Sequence, residues 1–257
     1  MPFCYIYNYS VCKTYEKRLA LILLGGAMAR WFSRIGFCLK LGGGYVRLLP
    51  QLVRGGWYVA ALPRPIVSIF GGSRFKEQTY YFDRAYEAGN MLVGNNISVI
   101  TGGGPGIMEA ANCGASSAAE SRARTMGIGV TELGDEKLNT CATYHILTDY
   151  FAIRKHLLIR YSLGFIVFPG GFGTLDELAE VLTLMQTNKL PVAPVVLIGA
   201  EYWSNLFAWV NVAYSSGLLP EAHKEYITIT DNISYACSKL ISHCKTCVKE
   251  PLEDQDS

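Results

Sequence analysis

From residue 65 onward, two kinds of apolar run alternate along the chain. Short, mostly β-branched runs at Ile66 to Phe70, Ser98 to Thr101, Arg124 to Val130, Tyr144 to Leu147, Phe165 to Phe168, Val195 to Ile198 and Tyr226 to Ile229 read as strands. Between them, Glu77 to Gly94, Ile107 to Ser121, Phe151 to Ser162, Leu175 to Met185, Tyr202 to Tyr214 and Asp231 to His243 read as helices. This alternation is the signature of βαβ units, which predicts an α/β domain with a mainly parallel sheet. Phe165 to Phe168 is apolar throughout, as expected of a strand buried between two helical layers.

Before residue 65 the pattern is different. The prolines of Pro63-Arg64-Pro65 break any helix and release an extended segment, so residues 1–64 form an apolar extension, residues 65–248 the main domain and residues 249–257 an acidic, flexible tail. Only short helices and turns are assignable in the extension. Gly42-Gly43-Gly44 lacks a preceding strand and reads as no phosphate loop. Lys17-Arg18 precedes the apolar run Leu19 to Ala29, and Ala27-Met28-Ala29 resembles a signal-peptidase site. The run is too short to span a bilayer and is preceded by a long aromatic stretch, so the expectation is a hydrophobic helix packed on a neighbour, with no membrane span.

A length of 257 residues suits one large domain with an extension. Half the residues are apolar and 17% are charged, enough for a three-layer core with some apolar surface left for a subunit interface. The formal charge of +2 is too small for the basic field of a nucleic-acid binder, and none is expected as a partner. The eight cysteines are scattered, which points to buried thiols and a reducing, cytoplasmic setting. Cys244-Lys245-Thr246-Cys247 has no second pair at metal-site spacing and reads as a helix end, so no metal is expected.

In a parallel sheet the ligand crevice lies beyond the carboxyl ends of the strands. Two glycine-rich loops fall there: Gly102-Gly103-Gly104-Pro105-Gly106 and Pro169-Gly170-Gly171-Phe172-Gly173-Thr174. Glycine lets backbone N–H groups approach an anion, and the following helix adds the positive end of its dipole. Two such loops in one sheet predict phosphate binding. Neither is a Walker A loop nor a dinucleotide fingerprint, which argues against ATP hydrolysis and NAD. Gly72, Ser73 and Arg74 add a third strand end, with a hydroxyl and a guanidinium suited to phosphate. Glu177, three residues after Thr174, is either a capping-box residue or the carboxylate of the site. Glu109 divides in the same way between a cap and a ribose contact. Arg154 and Lys155 begin a helix that directs one of them at the crevice. His145 and His156 have no evident partner and read as structural.

Gly102 to Asn112 and the run Pro169 to Glu177 resemble the LOG (Lonely Guy) family: the cytokinin riboside 5'-monophosphate phosphoribohydrolases and bacterial nucleotide nucleosidases once described as possible lysine decarboxylases. The resemblance covers roughly Pro65 to His243. It implies a Rossmann-like, doubly wound fold with helices on both faces, a homodimer or larger assembly, and neither metal nor cofactor. Carried onto this chain, it implies Arg154 and Glu177 as the catalytic pair. It likewise implies that the backbone of Gly103, Gly104, Gly106, Gly171, Gly173 and Thr174 holds phosphate and ribose. Gly72, Ser73, Arg74, Glu109, Lys155, Pro169 and Gly170 complete the expected substrate contacts. Pro105-Gly106-Ile107-Met108-Glu109 departs from the plant pattern and looks like the broader bacterial branch. The function expected is hydrolysis of a nucleoside 5'-monophosphate, the alternative a non-catalytic nucleotide or cofactor carrier. Decarboxylation would need a pyridoxal lysine, for which no lysine has a persuasive setting.

Overall fold

The computed structural model describes residues 27–118, 121–131, 137–220 and 225–249. The signal-like run at 19–29 falls largely outside them, as does the tail beyond residue 249. The chain divides into two units, residues 1–51 and 52–257.

In the first unit the described residues belong to helix α1 (Ala27–Ala60), which continues into the second. Short helices and turns were expected here. Instead one helix runs through Gly42 to Gly44 and Pro50. Glycine costs a helix only about 1 kcal/mol per residue, and no Asn, Asp or Ser flanks the triplet to stabilise a competing turn. The Gly42 triplet is therefore helical and makes no loop.

The second unit alternates β1 (Ile66–Phe70), α2 (Tyr80–Gly94), β2 (Ser98–Thr101), α3 (Ile107–Ser117), β3 (Thr125–Val130), β4 (Tyr144–Thr148), α4 (Phe151–Arg160), β5 (Phe165–Val167), α5 (Phe172–Gln186), β6 (Val195–Ile198), α6 (Ala200–Ser215), β7 (Ile227–Thr230) and α7 (Ile233–Lys249). The strands form one sheet, every pairing parallel, in the order β4-β3-β2-β1-β5-β6-β7. Strand order reverses between β1 and β5, so the crevice of this Rossmann-like fold opens above their carboxyl ends.

Strands β1, β2, β3, β5 and β6 are buried along their whole length, because helices cover both faces. On one face Val67, Ile69, Val99 and Ile166 pack with α2, α3 and α7 through Leu92, Ala111 and Leu240. On the other, the buried hydroxyl of Ser68 donates to the Leu158 carbonyl of α4 at 2.6 Å, and Phe70 stacks on Phe165 at 5.9 Å. Helices α2 and α3 cross with their backbones in contact: a Cβ on Gly89 would strike the carbonyl of Ala111, and one on Gly114 the carbonyl of Tyr86. Backbone cannot swing aside as a side chain does, so Gly114→Ala is expected to cost roughly 2 to 3 kcal/mol. A melting point lower by about 5 to 10 °C would register it; an unchanged one would mean the crossing is looser than this.

Candidate functional site

Three strand ends meet above the switch point. The amide of Gly72, after β1, donates to the Pro169 carbonyl after β5 at 3.0 Å, and the amide of Ile107 donates to the Gly72 carbonyl at 3.1 Å. A Cβ on Gly72 would come within 3.2 Å of the Gly170 Cα, and one on Gly106, at φ +70°, within 2.6 Å of the Gly72 carbonyl oxygen. The two glycine loops therefore converge, bridged by the β1 loop, and these glycines are needed because backbone packs on backbone.

Helix α5 begins at Phe172 with Gly171 as its N-cap residue, three residues before the expected start at Leu175. The difference decides the role of Glu177. A capping-box glutamate sits three residues past the N-cap, whereas Glu177 is six past Gly171 and in the second turn. That structural reading falls away. Thr174 is buried in the first turn, its hydroxyl beneath Gly170. Gly171 and Gly173 have open space where a side chain would stand, so no protein atom requires glycine there. Their bare backbone leaves the N-terminus of α5 accessible to an anion. From α6 the Tyr202 hydroxyl donates to the Gly170 carbonyl and braces the loop.

Arg154, in the first turn of α4, reaches the opposite side of the same crevice. Its Nε donates to the Ile128 carbonyl of β3 at 2.9 Å, and its Nη1 lies 3.4 Å from Oε1 of Glu177. Both side chains are largely buried, at 13% and 8% exposure. Burial pushes the Glu177 carboxyl up to about 7, against the opposing pull of the Arg154 cation, with the Asp176 charge raising it further. A buried carboxyl raised in this way beside a cation is a candidate for acid–base work. Of the adjacent basic residues, Arg154 points inward. Lys155, expected at the ligand, instead pairs with Asp176 at 3.1 Å and Glu180 at 2.7 Å and ties α4 to α5.

An open cavity of about 480 Å³ adjoins the first loop. Its walls are Ser73 and Arg74 after β1, Pro105 and Glu109 after β2, and the stretch Lys137 to Asn139 ahead of β4. Arg154 and Glu177 lie outside these walls, but Gly102 joins the two parts: a Cβ there would strike Arg154 Nη2 and lie 2.7 Å from the Met108 sulfur. Gly103 departs from expectation. Its N–H donates to the Thr101 hydroxyl at 3.0 Å, and a Cβ on it would come within 3.1 Å of the Gly127 backbone. Glycine is needed at 103 for close packing at φ +74°, with its amide turned away from any ligand.

Lys137 to Asn139 left no mark in the sequence reading, because they follow a polar stretch without periodicity. Asn112, given no role by the sequence reading, is fully buried amid the small residues of α3. His145 is structural, its Nε2 2.6 Å from the Asn139 carbonyl. Against the expectation of reduced thiols throughout, Cys113 and Cys141 form a disulfide between α3 and the segment before β4, a pairing hidden by a separation of 28 residues. Only the sheet brings those segments together. Cys237 and Cys244 are buried thiols pushed up to about 12 by burial, and the Cys-x-x-Cys lies within α7. Among the described residues, no three His, Cys, Asp or Glu side chains cluster to hold a metal ion, and no helix is long and apolar enough to cross a membrane.

Fold and site together define a Rossmann-like α/β protein with a glycine-walled crevice and a buried Arg–Glu pair. The family model described as "Possible lysine decarboxylase" matches residues 108–240. The chain belongs to this family, the LOG family. It is 30% identical over 190 residues to the pyrimidine/purine nucleotide 5'-monophosphate nucleosidase of Escherichia coli K12, matching 71% of this chain and 41% of that protein. The chain thus spans about two fifths of the length of that relative. It is also 30% identical over 183 residues to cytokinin riboside 5'-monophosphate phosphoribohydrolase LOG1 of Arabidopsis thaliana, covering 68% of this chain and 81% of that one. Among solved structures, the molybdenum cofactor carrier protein of Chlamydomonas reinhardtii superposes with a TM-score of 0.51 at 20% identity, over 73% of this chain and 99% of that one. That likeness bears on the fold alone.

Proposed function

We propose that this protein hydrolyses the N-glycosidic bond of a nucleoside 5'-monophosphate, AMP or a cytokinin riboside monophosphate, to free base and ribose 5-phosphate. It does so in the cytoplasm as a homodimer or larger homo-oligomer, without a metal or cofactor. The names of the relatives support the substrate class. The observation that carries the reading is the buried Arg154–Glu177 pair beside two converging glycine loops.

Departure of the base builds positive charge on the ribose, and a nearby carboxylate stabilises that oxocarbenium-like state. Ionised Glu177 supplies the negative field and takes a proton from the attacking water. Arg154 orients the carboxylate and offsets the negative charge on the departing base, which keeps the electron pair of the broken C–N bond and takes up a proton as it leaves. The open N-terminus of α5, at Gly171 and Gly173, receives the phosphate with the positive end of the helix dipole. Binding energy from this remote group then holds the anomeric carbon in place. Ser73, Arg74, Gly104 and Glu109 contact the remainder of the nucleotide.

Incubation with AMP should release adenine and ribose 5-phosphate in equal amounts by chromatography. Binding without release would leave the protein a carrier. Because the active form of Glu177 is ionised and its carboxyl sits at about 7, kcat/KM should fall tenfold per pH unit below neutrality. The midpoint should lie near 7, since a rising limb centred near about 6 would report the substrate phosphate instead.

A further inference from the structure

The cavity wall beside the first glycine loop is held by one amide side chain that touches none of the proposed chemistry. Asn139 is buried, 35 residues from the loop it grips. Its backbone N–H donates to the Gly103 carbonyl at 2.8 Å and its Nδ2 donates to the Gly104 carbonyl at 2.9 Å. Its Oδ1 accepts from Asn112 Nδ2 at 3.2 Å and from the Cys141 amide at 3.3 Å. Asn112 is anchored in turn, its Oδ1 accepting from the hydroxyls of Thr101 at 3.2 Å and Thr125 at 2.9 Å. Asn112 is buried in the middle of α3, and Thr101 and Thr125 are buried at the ends of β2 and β3. This network reaches the cavity wall from the core without an unpaired amide, which is the condition for a buried polar network to impose one geometry.

The geometry it imposes is the aim of a donor. In a planar trans peptide the carbonyl and the following N–H point in opposite directions. With the Gly103 carbonyl turned onto Asn139, the Gly104 N–H faces away from Asn139. Gly103 spends its own N–H on Thr101 and Pro105 has none. Gly104 therefore carries an amide that neither Asn139 nor Thr101 takes up, and two bonds from Asn139 fix the peptides on either side of that residue.

We infer that Asn139, anchored by Asn112, is a positioning residue that presents the Gly104 amide of the first glycine loop to the nucleotide. This rests on the function proposed above and adds to it a role for a residue outside both motifs. An Asn here is required for its chemistry: the side chain must accept from Asn112 and donate to Gly104 at once, which neither Asp nor Ala does.

The test uses the full chain with Asn139→Ala and Asn139→Asp. Loss of one well-placed donor is expected to raise KM for AMP about tenfold in Asn139→Ala, and at least as far in Asn139→Asp, where a carboxylate faces the Gly104 carbonyl. The value of kcat should stay within about threefold, because Arg154 and Glu177 are untouched. A merely structural role would instead lower the active fraction and so kcat, with KM unchanged, and that result overturns the inference. Hydrogen exchange of the peptide covering 102–107, read without ligand, is the independent arm. It should speed up about tenfold in Asn139→Ala. If the parent neither binds nor cleaves AMP yet exchange responds, the proposed function falls and the loop-holding role stands. Unchanged exchange and an unchanged KM in a folded variant dispose of the role itself.

Discussion

Glu177→Gln is expected to lower kcat for AMP hydrolysis by about a thousandfold while making the protein more stable at alkaline pH. The first effect follows from removing the carboxylate that faces Arg154 in the crevice, a contribution of the size usual for a general base that also stabilises transition-state charge. The second follows from burial. In the folded protein the carboxyl titrates at about 7, above its ordinary 4.5. A group raised in this way favours the fold fully below the ordinary value, and that advantage is lost as pH rises through the folded value. At pH 8 the native state therefore holds an ionised carboxylate that it would be easier to leave in water, and a neutral amide removes the strain. The Arg154 attraction is already contained in that raised value, so the gain at pH 8 is on the order of 3 kcal/mol. The gain should shrink towards zero near pH 4.5. Melting curves at the two pH values check it. A variant that melts below the parent at pH 8 would mean that the ion pair outweighs desolvation, and near-parental hydrolysis would remove Glu177 from the chemistry.

Gly102→Ala is expected to separate activity from stability in the other direction. The added methyl would meet the tip of Arg154 and the Met108 sulfur, both at the ends of flexible side chains. These can yield, so the fold should lose little, with a melting point within about 3 °C of the parent. The guanidinium cannot yield without leaving Glu177. A displacement of about 1 Å at a catalytic pair is worth roughly a hundredfold in rate, and kcat/KM should fall by that factor or more. Wild-type turnover in this variant would show that Arg154 need not hold its position. The contrast with Gly114→Ala, whose obstacle is backbone, is the control: one glycine serves the site and the other the packing.

The sequence by itself determined the order of strands and helices, the parallel sheet and the two glycine loops, while its likeness to the LOG family singled out Arg154 and Glu177, which the residues alone left open. All of these are carried by local periodicity or by short motifs, and the element ends shifted by only a few residues. Even those small shifts mattered at α5, where the start at Phe172 rules out the capping-box reading and leaves Glu177 a buried partner of Arg154. Lys155 exposes the limit of local reasoning, since neighbours in a helix share a spacing but not a direction, and its carboxylate partners belong to another helix. The tertiary structure alone decided the orientation of the Gly103 and Gly104 peptides, the grip of Asn139, the pairing of Cys113 with Cys141 and the upward shift of Glu177. Each depends on groups remote in sequence brought together in a space from which water has been excluded. Hydrogen-bond direction and the cost of burying charge are set by that space, and a sequence pattern specifies them only through the fold.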